Sequence, residues 1–337
     1  MNWLFLPVQA GKPWTGATIH TDPLGGSEAA VAYTARALAK KGHRVSVLTH
    51  GAKTVETFEG VQYWPNSALS QLQRMPFDVL VSSRWIEALG WNWNAMARML
   101  WMHDMPYQIG GQVPVHKIVC VSEFQAAVWG FDPASCVVIG NGVDLEIFSP
   151  SVKVERNPNK LVWASNPDRG LALAAKIFQE IRKRWPDLEL HVYGRAQIYG
   201  WDQSAEAPYM PLDEHMENVF MHDSLPRYAL AHELRNAWAL FYPTWWPETY
   251  CMTALEAQAV GTPVISSPHA ALASTVVGGI QTFDYLNAVS QLRNVRRWKK
   301  LSAAGIEFAT HNTWDIRATQ WEALATEVQE AINAVPQ

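Results

Sequence analysis

Apolar positions along the chain fall into short runs separated by turn residues, and between the runs the spacing of apolar residues shifts from strand-like to helical. Residues 3–8 (Trp-Leu-Phe-Leu-Pro-Val) form a first strand-like run with a breaker near its end. A polar loop over residues 9–24 leads to Gly25-Gly26-Ser27-Glu28, with Ser27 placed as N-cap of a helix over 29–41 that Gly42-His43 closes. Residues 44–49 read as the next strand. Strand, glycine turn, helix and strand make a right-handed βαβ unit on a parallel sheet. The alternation continues with strands at 78–82, 99–102, 117–121 and 137–139 and short helices at 68–74 and 123–129.

A polar segment without periodicity, residues 149–160, carries Pro150 and Pro158 and reads as a linker. After it the alternation restarts. Strands are expected at 161–164, 189–193, 219–221 and 239–242, helices at 169–185 and 226–236, and a long polar loop at 195–218. The carboxyl-terminal part, 285–334, reads as two helical segments parted at His311-Asn312. The pattern therefore predicts an α/β chain of two Rossmann-like, doubly wound parallel-sheet domains, 1–150 and 151–311. Two such domains facing each other would set the carboxyl ends of their strands on either side of one cleft, where open α/β sheets bind ligands.

Composition changes this picture little. A chain of 337 residues is long for one core, in keeping with two domains. Net charge is −4 with no long basic block, which disfavours nucleic acid as a partner. The basic run 293–300 reads first as a solvated helix face. No apolar run approaches the roughly 18–20 residues of a membrane helix, and the first residues lack a basic leader region. Three cysteines without metal-ligand spacing suit a reduced, cytoplasmic protein. Seventeen tryptophans are unusual; exposed examples at Trp14, Trp91 or Trp93 would suit a carbohydrate.

The densest chemistry lies in Trp245-Trp246-Pro247-Glu248-Thr249-Tyr250-Cys251-Met252-Thr253-Ala254-Leu255-Glu256-Ala257. A helical pattern begins near Thr249, just after the 239–242 strand, and stops at Gly261. A helix starting at the carboxyl end of a buried strand directs backbone N–H groups and the positive end of its dipole outward, a ready anion site. Glu248 stands at its entrance. Glu256 falls among Ala254, Leu255 and Ala257, and a buried carboxylate needs partners, such as the hydroxyls of a ribose. Arg169, in Asn166-Pro167-Asp168-Arg169-Gly170, follows the first strand of the second domain and suits a phosphate. His103, beside Asp104, ends a strand of the first domain, and Gly25 and Gly26 allow close backbone approach. No Asp-x-Asp occurs and His215 has no partner at ligand spacing, so no metal is expected.

Glu248 and Glu256, seven residues apart, resemble the Glu-x7-Glu motif of retaining glycosyltransferases of the GT-B fold. The wording from Glu248 to Ala257 and Gly261-Thr262-Pro263-Val264-Ile265 is similar to glycosyltransferase family 4 in particular. The resemblance extends along the chain through Gly25-Gly26-Ser27-Glu28, Gly42-His43-Arg44-Val45, Val121-Ser122, Gly140-Asn141-Gly142-Val143-Asp144 and Pro167-Asp168-Arg169-Gly170-Leu171. It implies a nucleoside diphosphate sugar as donor, UDP- or GDP-linked, and no other cofactor. Arg169 and the backbone N–H groups of Thr249, Tyr250 and the adjoining Cys251 would hold the diphosphate, and Glu256 the ribose. Glu248 would contact the transferred sugar, with Gly25 and Gly26 against phosphate and sugar and His103 near sugar hydroxyls. The acceptor implied is a glycan or lipid-linked sugar, with peripheral contact at the inner face of a membrane, and the last helix, about 312–334, would pack back on the first domain. The chain departs from the pattern at Ser165 and Asn166, where many members carry an arginine; Arg169 stands where a lysine is common, and Arg195 or Arg227 would supplement the charge. The residues leave open an epimerase or phosphorylase-like enzyme of the same fold, a carbohydrate- or nucleotide-binding protein without turnover, and a transferase acting on modified nucleic acid.

Overall fold

The structure, a computed structural model, describes residues 1–9, 11–107, 114–194 and 216–334. The chain divides into two compact units, Met1–Gly142 with Trp314–Gln337, and Val143–Thr313.

In the first unit the described strands form one sheet in the order β3-β4-β2-β1-β5-β6-β7-β8. They are β1 (Asn2–Pro7), β2 (Arg44–Leu48), β3 (Glu56–Phe58), β4 (Val61–Trp64), β5 (Phe77–Ser83), β6 (Ala95–Trp101), β7 (Lys117–Cys120) and β8 (Cys136–Val138). All neighbours pair in parallel except β3 and β4, an antiparallel edge hairpin. Sequence pattern passes over this hairpin because its turn is Glu59-Gly60, both at positive φ (47° and 81°), rather than an Asn-Gly or Asp-Gly pair, and its strands are only three and four residues long. The sheet interior is a near-continuous apolar run, as a parallel sheet covered on both faces requires. Trp314–Ala334 lies along the helix Gly26–Lys40. Its Trp314 ring stacks on Tyr33 at 5.6 Å, and Trp321 meets Trp101 edge-on at 5.0 Å.

The second unit carries a sheet in the order β11-β10-β9-β12-β13-β14, all parallel. Its strands are β9 (Lys160–Ala164), β10 (Glu189–Tyr193), β11 (Val219–His222), β12 (Ala239–Tyr242), β13 (Val264–Ser266) and β14 (Gly279–Gln281). The chain after β14 forms helices Tyr285–Leu292, Val295–Thr310 and Trp314–Ala334, three where the pattern predicts two segments. The extra break is at Asn294, whose side chain accepts the N–H groups of Arg296 and Arg297 and so starts a new helix within an otherwise helical stretch. Among the described residues no helix is long and apolar enough to cross a membrane.

The helix Met252–Ala259 is anchored from behind by one buried side chain. Gln258 donates from Nε2 to the carbonyls of Ala254 and Thr275 and accepts at Oε1 from the N–H groups of Val277 and Gly278. Its amide is thus saturated in a site with no solvent exposure. Gln258→Leu removes the acceptor and strands two backbone donors, so a loss of about 2–4 kcal/mol in unfolding free energy is expected, read from urea titration.

Candidate functional site

In an open α/β sheet the loops diverge at the point where strand order reverses, and that opening is where ligands bind. In the second unit this point lies between β9 and β12, whose successors run to opposite sides. The loops that follow these two strands carry Ser165 to Arg169 and Thr244 to Cys251. They are knitted together. Thr244 donates through Oγ1 to the Arg169 carbonyl (2.5 Å), and Gly170, at φ 109°, lies so close that an added Cβ would meet the Thr244 Cα at 3.3 Å. Only glycine suits that position.

The two loops meet at a carboxylate. Glu248 is 2% exposed, and both its oxygens accept from Arg169 Nη1, at 3.1 and 2.8 Å. Oε1 also accepts from the Tyr242 hydroxyl at 2.6 Å, which in turn lies 3.0 Å from Ser165 Oγ. Burial first, and then the charge of Glu248, push the Tyr242 hydroxyl well above its ordinary range, so it remains a donor. The Arg169 guanidinium sits 5.6 Å from the Trp246 ring centroid, a cation–π contact. Asp168 is adjacent; burial raises its pKa, against the opposing effect of Arg169, and its Oδ1 meets no hydrogen-bond donor among the described residues.

Downstream the backbone turns sharply. Cys251 has φ 69° and ψ 76°, a left-handed conformation that a residue with a Cβ adopts only at a cost of about 1–2 kcal/mol. The helix begins at Met252 rather than near Thr249, since apolar periodicity does not register a left-handed residue ahead of the first turn. Thr249 and Tyr250 therefore lie in the loop before the helix. Burial, then Glu248, push the Cys251 thiol upward, leaving it protonated. Glu256, the fifth residue of the helix and 2% exposed, pairs through Oε1 with Arg227 at the start of the helix Arg227–Asn236. Its Oε2 is buried and meets no donor among the described residues.

In the first unit the strand order reverses between β1 and β5. Gly25 is the N-cap of the helix Gly26–Lys40, so Ser27 is not the cap. Gly25 has φ −59°, a conformation open to any residue. What the glycine pair gives is the absence of side chains over the helix start. Ser27 Oγ instead donates to Glu28 at 3.0 Å and accepts from Arg84 at 2.9 Å. Arg84, at φ 64° just past β5, also donates through Nε to Asp104 at 2.7 Å. Asp104 is thus held by Arg84. The His103 ring packs on Trp101 at 4.6 Å, and burial, aided by the Arg84 charge, lowers its pKa to about 3.

With this geometry in hand, residues 132–283 match the family described as "Glycosyl transferases group 1". The matched stretch is just under half of the chain, and over it the chain is similar to that family, a group of retaining glycosyltransferases. The chain is 27% identical over 197 residues to a D-inositol 3-phosphate glycosyltransferase of Frankia alni; the match covers 52% of this chain and 48% of that protein, so the chain spans about half the length of the relative it matches. By structure it is similar to a sucrose-phosphate synthase from Thermosynechococcus elongatus, with a TM-score of 0.73 at 16% identity, covering 98% of this chain and 100% of the other. It is likewise similar to Anabaena HepE in complex with UDP-glucose, with a TM-score of 0.71 at 13% identity, covering 99% and 100%. The fold is GT-B, two α/β sheets that are parallel apart from the β3–β4 edge, as the motifs predict.

Of the residues singled out in the sequence, the second unit brings Arg169 and Glu248 into direct contact and joins Arg227 to Glu256. Gly25, Gly26 and His103 belong to the first unit, where Arg84 links Ser27 in the first turn of the helix Gly26–Lys40 to Asp104, the residue after His103. Arg195 and His215 lie outside the described residues. Among those described, no group of three or more His, Cys, Asp and Glu is disposed to hold a metal. Pattern reading missed Tyr242 and Arg84: one hides inside an apolar strand, and the other carries a backbone strain that sequence spacing does not reveal. The exposure that would suit a carbohydrate is not met at Trp14 or Trp93, which are core at 1% and 4% exposure. Trp91 is half-buried against Trp85 and Trp93.

His103 supplies a pH prediction. Its folded pKa, about 3, lies below the ordinary 6.5, so between those values the unfolded chain binds the extra proton and stability falls as pH falls. His103→Gln is expected to flatten the acid limb of stability between about pH 6.5 and 3, and the His103 ring signals in an NMR titration should not move above pH 5.

Proposed function

We propose that the protein is a retaining glycosyltransferase that moves a sugar from a nucleoside diphosphate sugar to a hydroxyl of a glycan or lipid-linked acceptor. The observation that carries this reading is the pair of buried carboxylates after β12, Glu248 held by Arg169 and Tyr242, and Glu256 held by Arg227, inside the family-matched stretch. A buried carboxylate oxygen without a donor, as at Glu256 Oε2, is an acceptor for ribose hydroxyls.

In this reading the diphosphate draws the Arg169 guanidinium from Glu248 onto its own oxygens, with backbone N–H groups of residues 249–252 completing the grip. Release of Arg169 frees Glu248 to accept from hydroxyls of the transferred sugar, while Tyr242 keeps its carboxylate in place. Charge building on the leaving diphosphate is then met by a fixed cation and oriented N–H groups, without a metal. Within the first unit, His103 is neutral at physiological pH and can both donate and accept a hydrogen bond. The protein is proposed to work in the cytoplasm, with any membrane contact peripheral at its inner face.

Thermal-shift titration with UDP, GDP, ADP and their sugars tests the donor site. At a hundredfold excess over Kd, one of them should raise Tm by about 2–4 °C. Glu256→Ala should abolish that shift, and Glu248→Gln should keep it while cutting sugar transfer or donor hydrolysis about 100-fold or more. No stabilisation by any nucleotide would remove the donor assignment, and unaltered turnover in Glu248→Gln would remove the role of Glu248.

A further inference from the structure

Among the described residues, Trp245 is the one tryptophan more than a third exposed, at 57%. The backbone around it is fixed. Thr244 donates its N–H to Ser267 Oγ at 2.9 Å, and Ser267 donates back to the Thr244 carbonyl at 2.6 Å while also contacting the Tyr285 hydroxyl at 2.8 Å. On the other side the Trp246 N–H donates to Thr244 Oγ1 at 2.9 Å, and the Glu248 N–H to the Trp246 carbonyl at 2.9 Å. The two indoles meet edge to face, with centroids 6.0 Å apart and planes at 64°, and Trp246 is itself held under Arg169. A large ring is therefore presented to solvent on a locked turn, three residues before Glu248.

A rigid, exposed indole next to a buried polar site suits a ligand with one apolar face and a polar rim. A pyranose ring has that form: its axial C–H bonds line one face, and its hydroxyls radiate from the edge. The negative face of the indole attracts those polarised C–H groups, and the contact adds little ordering cost because the aromatic side chain is already held. Three residues span at most about 10 Å of chain, so a ring stacked on Trp245 lies one or two sugar units from Glu248. Glu248 is closed from solvent and Trp246 half-buried, whereas Trp245 is open; its occupant arrives from solution rather than enclosed with the donor.

We infer that Trp245 is a stacking platform for a pyranose ring of the acceptor. The inference rests on the glycosyltransferase reading above, and the experiment separates the two. Protein labelled with 5-fluorotryptophan gives one ¹⁹F resonance for Trp245, assigned by its loss in Trp245→Phe. Methyl α-D-glucopyranoside and maltotriose are added as ring probes, with sorbitol as an open-chain control. The Trp245 resonance should shift with a ring probe in a saturable way, and should stay in place with sorbitol. A resonance that ignores both ring probes, or follows sorbitol equally, overturns the platform. The nucleoside diphosphate found by thermal shift is tested on Trp245→Ala in parallel. Retained stabilisation supports an acceptor-side role, and its loss assigns Trp245 to the donor and overturns the inference. Absence of any nucleotide effect in the wild type counts against the donor reading alone. In turnover, Trp245→Ala should raise the acceptor KM about tenfold, the worth of one stacking contact, with the donor KM and kcat within about twofold and partial recovery in Trp245→Phe.

Discussion

A carboxylate cannot be taken out of water without partners, and the loops of the second unit are arranged around meeting that demand for Glu248. Desolvation of a single carboxylate amounts to several kcal/mol. Arg169 and Tyr242 offset it with charge-assisted hydrogen bonds, and each partner brings its own supports. Tyr242 is the last residue of β12 and reaches Ser165 after β9; Arg169 is pinned by Thr244 through its carbonyl and by Trp246 through its ring. Removing one partner would leave the charge buried and unmatched, so the cluster holds as a unit. The same logic repeats at Glu256 with Arg227, one element further from the strand end.

The parallel sheet makes this arrangement possible. Because β9 and β12 are neighbours with divergent successors, two loops distant in sequence arrive side by side. The first unit applies the same rule between β1 and β5, where Arg84 ties the start of the helix Gly26–Lys40 to Asp104. Each unit thus fastens its strand ends with an arginine bridging to acidic residues, Glu248 in one and Asp104 with Glu28 in the other.

Much of the architecture was legible because buried parallel strands are short apolar runs and the helices between them carry one apolar face. The strands at 161–164, 189–193 and 239–242, the helix 123–129 and the stop at Gly261 follow from such signals. Boundaries set by local backbone geometry were not legible. Asn294 divides a helix by capping, Glu59 and Gly60 turn a short hairpin, and Cys251 delays the helix after Glu248. The site was half legible: charged residues at strand ends stand out against apolar runs, but Tyr242 reads as one more apolar strand residue until its hydroxyl is seen on Glu248. The tryptophans were open for a related reason, since composition counts indoles without saying which are covered.

The left-handed backbone at Cys251 has a consequence for how this loop can diversify. Residues branched at Cβ are effectively barred from that position, whereas Thr249 nearby, half-buried and at negative φ, is under no such conformational bar. Sequence drift is thereby channelled: the shape of the turn is conserved by conformational exclusion while the chemistry displayed on it can be exchanged. A lineage carrying this chain could change what the loop presents in single steps, without first having to rebuild the loop.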